Sequence, residues 1–281
     1  MRYSNLHTHT DFCDGKKMPE NFVAEAIRQN MSSIGFSAHA PLPYICPWTI
    51  KYENIKEYLT QVNFLKTSQN KVQVYLSLEL DYIPGYTIPF DVYRNLMNLD
   101  YTIGSIHFVI MPEKDLLWFI DGPHEKYIEG INTIFDNDAR KAVKAFYAQT
   151  REMVLTQKPD IIGHLDKIKM NNKNNQFFTT KEIWYRDEII KTLEVIKQNG
   201  TIVEINTRGI YRGKTAELFP SIEIIQECNN MEIPLTISSD AHNPDELTKL
   251  FSETIDILKQ SGIKTLLKFV NYKWEGYSLL N

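Results

Sequence analysis

Apolar runs and amphipathic stretches alternate along this chain. The runs SNLHTH, SIGFSAH, VQVYLSLEL, YTIGSIHF, DIIGHLD, TIVEINT and LTISSDAH read as seven strands. They are apolar through most of their length rather than strictly alternating, as strands covered on both faces are. Helical spacing fills the intervals. One helix starts at about Pro19, with Phe22, Val23, Ala26 and Ile27 on one face. Others span about Tyr52–Lys66, Pro89–Asn98, Ala139–Thr156, Lys181–Gln198 and Pro220–Asn230, and a last one, about Pro244–Gln260, follows the seventh strand. Strand then helix, repeated, predicts an α/β fold with a parallel sheet and crossover helices. Seven such units predict a barrel whose functional residues sit at the C-terminal ends of its strands. The least regular segment is Phe108–Asp136, where VIMPEKDLLWFIDG predicts a hairpin or a lid over the rim. The C-terminal IKTLLKFVNYKWEGYSLL predicts a short strand outside the barrel. With no repeat and no Gly/Ser-rich linker, residues 1–281 read as one domain.

Composition narrows the partners. The 281 residues are 43% hydrophobic and 12% aromatic, enough to fill a sizeable core. With 31 basic and 35 acidic residues the net charge is −4, and no basic stripe points to nucleic acid. No apolar run approaches the ~20 residues that span a bilayer, and MRYSNLHTHT lacks the apolar segment of a secretory leader. No membrane partner is expected. Cys13, Cys46 and Cys228 are odd in number and form no Cys-x-x-Cys pair, which fits a reducing cytoplasm. Cys13 adjoins a histidine pair but reads as a buried bystander thiol. The sequence is compatible with a monomer or a homo-oligomer.

The chemistry lies in the histidines. Six of the seven sit at or just past the predicted strand ends: His7, His9, His39, His107, His164 and His242. Glu79 and Asp240 occupy the same kind of position. Taken singly, a strand-end histidine is more often hydrogen-bonded in a core than metal-bound, and His-x-His alone is a weak signal. Asp14, just before Gly15, also fits an ordinary turn. The joint pattern carries the argument, because buried strand ends are expensive places for unpaired polar groups. Imidazole and carboxylate together are the ligand set of a borderline divalent metal. Spacing by two puts His7 with His9, and Asp240 with His242, on common faces.

The motifs LHTHTDFCDG, SAHAPLP, LSLELDYIPG, IGSIHF, GHLDKIK, EINTRGIYRG and SSDAH occur in order from end to end. The chain thereby resembles the polymerase-and-histidinol-phosphatase superfamily, and within it the monofunctional histidinol-phosphate phosphatases. The resemblance implies a distorted (β/α)7 TIM-like barrel with three divalent ions, zinc, manganese or iron, at the C-terminal rim. Carried over by position, His7, His9, Glu79 and Asp240 would hold one ion. Glu79 would bridge to a second with His107 and His164. Asp14, His39 and His242 would hold a third. Some relatives have histidine where this chain has Asp14, which leaves the strength of that site open.

The implied reaction is hydrolysis of L-histidinol phosphate to L-histidinol and phosphate, by a metal-bridging hydroxide attacking phosphorus. Glu79, Asp240 and His242 are the expected catalytic residues. The general acid is left open among Asp14, Asp166 and a metal-bound water. Lys167, Arg208 and Arg212 are candidates to grip phosphate, with Lys214 fourth, each against the alternative of a solvated loop charge. Asn206 serves either the rim or a turn cap. Asp81, Tyr82, Phe108 and Trp118 are candidates for the leaving-group end, with ordinary loop packing the favoured alternative. His124 falls outside every motif and reads as a loop or helix start. A second reading keeps the site but turns it to another small phosphate ester, such as a nucleotide or sugar phosphate, or to a phosphoprotein. A third, a non-catalytic or proofreading module, is disfavoured because no ligand is missing and no basic face is present.

Overall fold

A computed structural model describes residues 2–44, 46–111 and 113–280; Met1, Ile45, Asn281 and Pro112 of the VIMPEK turn lie outside them. The strands are β1 Ser4–Asn5, β2 Ser33–His39, β3 Gln73–Asp81, β4 Ile103–Ser105, β5 Phe108–Met111, β6 Leu116–Phe119, β7 Ile161–Ile162, β8 Ile202–Asn206, β9 Leu235–Ser238, β10 Thr265–Val270 and β11 Lys273–Ser278. The helices are α1 Pro19–Arg28, α2 Ile55–Ser68, α3 Phe90–Met97, α4 His124–Thr133, α5 Ala139–Gln157, α6 Ile183–Asn199, α7 Arg208–Tyr211, α8 Ile222–Asn230 and α9 Phe251–Gln260. One mixed sheet runs β1-β2-β3-β4-β7-β8-β9-β10-β11, and β5-β6 is a separate hairpin. Every pairing from β1 to β10 in the large sheet is parallel, and only β10-β11 is antiparallel.

The helices form where the sequence periodicity asks for them. Proline opens α1, where its missing N–H is no loss, and Phe22, Val23 and Ala26 face inward. Burying a side chain of Phe22's or Val23's size contributes roughly 1.5–3 kcal/mol. Asp138 caps α5 by accepting from Lys141 N, and Gly200 ends α6 at φ 67°. In α2, Tyr58 is fully buried, and its hydroxyl donates to Phe36 O and Ser77 O, tying the helix to β2 and β3. A second apolar cluster gathers Ile103, Ile161 and Ile202, the first residues of β4, β7 and β8, with Tyr75, Tyr101 and Phe269. The opposite ends of the strands are left to polar side chains.

Register brings those ends level. His39 pairs with Glu79 across β2-β3, Glu79 with Ile103 across β3-β4, and Asn206 with Ser238 across β8-β9. Beyond the regular strands, Thr8 and Ala241 form a parallel bridge, with His9 N donating to Ala241 O at 2.8 Å and Ala241 N to His7 O at 3.1 Å. The chain after β1 therefore lies beside the chain after β9.

Three features differ from the sequence reading, whereas the hairpin it allowed in the irregular segment is present. The expected helix over Pro244–Gln260 is broken. A 3-10 turn, Pro244–Glu246, is separated from α9 by Leu250 at φ 62°. Glu246 accepts from His242 N and Asn243 N, at 2.8 and 3.1 Å, capping the start of the turn, and beside the break Thr207 Oγ1 donates to Lys249 O at 2.8 Å. The helices α4 and α7 were not foreseen, and His124 is the first residue of α4. The irregular segment supplies the β5-β6 hairpin. The C-terminal segment forms two strands, of which β10 extends the sheet beside β9.

Candidate metal centre

The six rim histidines, Glu79, Asp240 and Asp14 converge. His39 ends β2, Glu79 lies near the end of β3, and the others follow β1, β4, β7 and β9. Glu79 stands at the centre, 2% exposed. Its Oε2 lies 3.1 Å from His7 Nε2, 3.4 Å from His9 Nε2 and 3.0 Å from His39 Nδ1. Its Oε1 lies 2.8 Å from His164 Nε2 and 3.7 Å from His107 Nε2. One carboxylate thus presents each oxygen to a different set of imidazoles. Asp240 Oδ1 faces His9 Nε2 at 3.3 Å, His242 Nδ1 at 3.5 Å and His7 Nε2 at 3.8 Å. Asp14 Oδ2 lies 3.1 Å from His242 Nε2, and its Oδ1 lies 3.8 Å from His39 Nε2 and 3.9 Å from His9 Nδ1.

These atoms fit divalent metal. Donor atoms within 4.8 Å of one another form four sets: His9-Asp14-His39-His242, His7-His9-Asp240, His7-Glu79-His164 and His39-Glu79-His107. His7 Nε2, His9 Nε2, His39 Nδ1 and Asp14 Oδ1 are buried without a hydrogen-bond partner. Such atoms are rare in proteins, and here they all face the same space. Local backbone reinforces the point. His164 and Asp240 adopt φ of 39° and 50°, a left-handed conformation that non-glycine residues seldom take.

The electrostatics are those of a cluster that a cation would relieve. Burial works to lower the pKa of His7, but the carboxylates of Glu204, Asp240 and Glu79 outweigh it and hold His7 well above its ordinary value. Burial and the neighbouring His39 and His242 push His9 well below its own. Burial would raise Glu79, yet His39, His7 and His107 pull it well below the usual carboxylate range. Asp240 behaves alike, with His7 and Arg208 overcoming its burial.

The PHP domain family matches residues 5–208. The chain belongs to the PHP domain family. A histidinol-phosphatase of Bacillus subtilis is 24% identical over 263 residues, covering 88% of this chain and 96% of that protein. A probable histidinol-phosphatase of Deinococcus radiodurans is 25% identical over 268 residues, covering 92% and 94%. Among solved structures, the histidinol phosphate phosphatase of Lactococcus lactis, complexed with zinc, L-histidinol and phosphate, is similar at TM-score 0.70 and 18% identity, covering 98% of this chain and 99% of that one. A Listeria monocytogenes protein shares the fold at TM-score 0.77 and 22% identity, covering 89% and 99%.

Around the candidate metal ligands of this PHP domain, a cavity of about 160 Å³ is lined by Glu79, Asp240, His242, Lys167, Arg208 and Arg212, among others, and also by Asn206 and Lys214. The candidates differ in how free they are. Lys167 Nζ is ion-paired to Asp121 at 2.8 Å and lies 3.4 Å from His107 Nε2. Burial works against its charge, but Asp121, Asp240 and Glu79 raise its pKa. Arg208 is engaged: its Nη1 donates to Asp240 O at 2.9 Å and lies 3.7 Å from Glu246. Arg212 is half-exposed and 3.5 Å from Glu246. Asn206 does both jobs left open for it. Its Oδ1 accepts from Arg208 N at the start of α7, and its Nδ2 donates to Glu204 and Asp240.

Several residues fall elsewhere. Asp166 is fully buried, ion-paired to Lys169 at 2.8 Å, and accepts from Ser221 N at 3.0 Å. It is not among the cavity-lining residues, so it drops out as the general acid. Trp118 points into the core, where its Nε1 donates to Tyr127 O. The alternation of β6 turns its neighbour Phe119 outward instead. Phe119 joins Trp48, His39, His107, Asp14 and Asp121 around an adjacent cavity of about 200 Å³. Trp48, Phe108 and Phe119 stack there, with Phe108 and Phe119 centroids 4.8 Å apart. Tyr82 is buried, its hydroxyl donating to Glu152. Asp81 serves the rim rather than a leaving-group pocket: its Oδ2 lies 3.0 Å from His107 Nδ1, and its Oδ1 accepts from His107 N. Cys13 Sγ lies 3.5 Å from His9 Nδ1, and burial pushes its thiol up to about 12. Sequence reasoning missed Glu204, Asp121, Glu246 and Trp48. Glu204 lay in the quoted EINTRGIYRG motif, and an acid inside an apolar strand was the available signal.

Proposed function

We propose that this PHP domain protein is a metal-dependent phosphomonoesterase that hydrolyses L-histidinol phosphate to L-histidinol and phosphate. The observation that carries the reading is Glu79, whose two oxygens face two sets of histidines in one buried cluster. The names of the Bacillus subtilis and Lactococcus lactis relatives support the substrate.

Three divalent ions, zinc, manganese or iron, are proposed for the cluster. His7, His9, Glu79 and Asp240 would hold one, Glu79, His107 and His164 a second, and Asp14, His39 and His242 a third. His9 also stands within reach of the third set, which supports a single connected centre. Divalent ions bound there acidify water and offset charge on a phosphoryl group. The chain's own residues then do the following. Lys167 and Arg212 bind phosphate oxygens. Arg208 holds the carbonyl of Asp240 and so aims its carboxylate. Asp240 and His242 face the reacting group from the β9 side. Trp48 and Phe119 stack on the imidazole of the leaving group, and Asp121 faces its ammonium. The hairpin that carries Phe119 screens the mouth from water.

The finer architecture is proposed as a distorted (β/α)7 barrel of PHP type, formed by one domain over residues 1–281. The Thr8–Ala241 bridge supports closure between the chain after β1 and the chain after β9. The three free cysteines agree with a cytoplasmic location.

The test is a substrate panel. Purified protein loaded with zinc or manganese is assayed for phosphate release from L-histidinol phosphate, nucleotides and sugar phosphates. L-Histidinol phosphate is expected to give the highest kcat/KM. A higher value on another ester overturns the substrate, and no hydrolysis of any ester overturns the activity.

A further inference from the structure

Glu204 is a fully buried carboxylate on β8, and among the described residues no lysine or arginine pairs with it. Its two oxygens serve different parts of the cluster. Oε1 lies 2.6 Å from His7 Nδ1 and also accepts from Ser238 Oγ. Oε2 accepts from the backbone N–H of His164 at 3.0 Å and from Asn206 Nδ2 at 3.0 Å. His7 and His164 both face Glu79, from its Oε2 and Oε1 respectively. His164 is held at φ 39°, so its backbone needs a partner to keep that conformation.

We infer that Glu204 is a positioning residue that couples two of the metal sites by orienting one ligand of each. At His7, accepting from Nδ1–H fixes the tautomer in which Nε2 carries the lone pair. Nε2 is the atom buried without a hydrogen-bond partner beside Glu79 and Asp240. Outer carboxylates of this kind set ring orientation and raise ligand basicity. At His164, Glu204 grips the main chain rather than the ring, and so sets where Nε2 meets Glu79. A single side chain therefore decides the approach of both imidazoles to opposite oxygens of the same central carboxylate. Among the described residues, none of the set His9-Asp14-His39-His242 hydrogen-bonds to Glu204, and that set is the internal control. Asp81 performs a similar act on His107 alone, touching its ring and its N–H. Glu204 differs in touching two of the proposed ligands, His7 and His164, which the proposed assignment places on different ions.

The inference rests on the metal-centre reading of the site and is indifferent to the substrate. Its readout is zinc binding, so its failure leaves the phosphatase proposal standing. Zinc affinity is measured by chelator competition, and occupancy of each set by anomalous scattering, for the native chain, Glu204→Gln and Glu204→Ala. The alanine variant is expected to lose about 10- to 100-fold in affinity at the sets of His7 and His164 together. The Asp14-His39-His242 set is expected to stay occupied. Glu204→Gln keeps the shape and one carbonyl acceptor, so it falls between the two. The metal-free alanine variant is expected to unfold below the native metal-free midpoint, because it leaves the buried donors of His7, His164, Asn206 and Ser238 without their acceptor, whereas the glutamine variant is expected to keep that midpoint. Loss at only one of the two sets, or equal loss at all sets, overturns the coupling. So does a lowered metal-free midpoint in both variants, which marks Glu204 as structural.

Discussion

Glu79 Oε2 and His7 Nε2 lie 3.1 Å apart, both side chains almost wholly buried, yet the nitrogen has no hydrogen bond. A buried imidazole nitrogen left this way beside a carboxylate is the geometry expected of a metal ligand, the role proposed for His7. Glu79→Ala is therefore expected to lower metal content and to reduce turnover by at least ~100-fold, the upper end of what outer partners alone cause. The fold should persist, since its apolar clusters do not include Glu79. Elemental analysis, circular dichroism and phosphate release check the three parts. Full activity in this variant would remove Glu79 from the centre.

Arg208 and Arg212 should separate kinetically. Arg212 is half-exposed and, among the described residues, tethered only to Glu246, so Arg212→Ala should raise KM with kcat nearly unchanged. Arg208 donates to Asp240 O, and Arg208→Ala frees the left-handed Asp240 backbone. Losing a charge-assisted bond of ~1.5–3 kcal/mol predicts a fall of about 10- to 100-fold in kcat/KM, with kcat included. Identical profiles for the two variants would contradict the assignment.

Gly163 lies against the central carboxylate. A methyl group there would collide with Ser105 Oγ and stand 3.6 Å from Glu79 Oε1. Ser105 donates to that same oxygen at 2.6 Å. Gly163→Ala should cost about 1–3 kcal/mol through overpacking and also weaken zinc binding. Thermal unfolding with and without chelator separates the two effects. A variant as stable and as metal-rich as the native chain would disprove the close packing.

Trp48 tests the leaving-group end. Trp48→Ala should reduce kcat/KM for L-histidinol phosphate by about three- to tenfold, the worth of an aromatic stacking contact. Glycerol phosphate, with no ring to stack, should be hydrolysed at an unchanged rate. Equal losses on both esters would show that Trp48 supports the cluster rather than the leaving group.

Much of this was legible along the chain. The strand–helix order followed from period and from local start signals such as Pro19, because these act over a few residues. The nine ligand candidates were found because His, Glu and Asp at the ends of apolar strands stand out from their neighbours. Their convergence is now visible as distances. The break at Leu250 was not legible in the helical period, and beside it Lys249 O accepts from Thr207, 42 positions away. Nor was the exchange of Trp118 for Phe119, since a hairpin's facing is set by what packs on it.

The sequence by itself determined the chemistry of the donors and the order of the elements that carry them. Only the tertiary structure decided which donors share an oxygen of Glu79, which arginine is free and which carboxylate orients each ring. Glu204 reaches His7 from 197 positions away, and Asp240 reaches Arg208 through a backbone carbonyl. Such pairings arise from strand register and from the packing of segments far apart in sequence, which are properties of the packed whole, and local patterning carries no record of them.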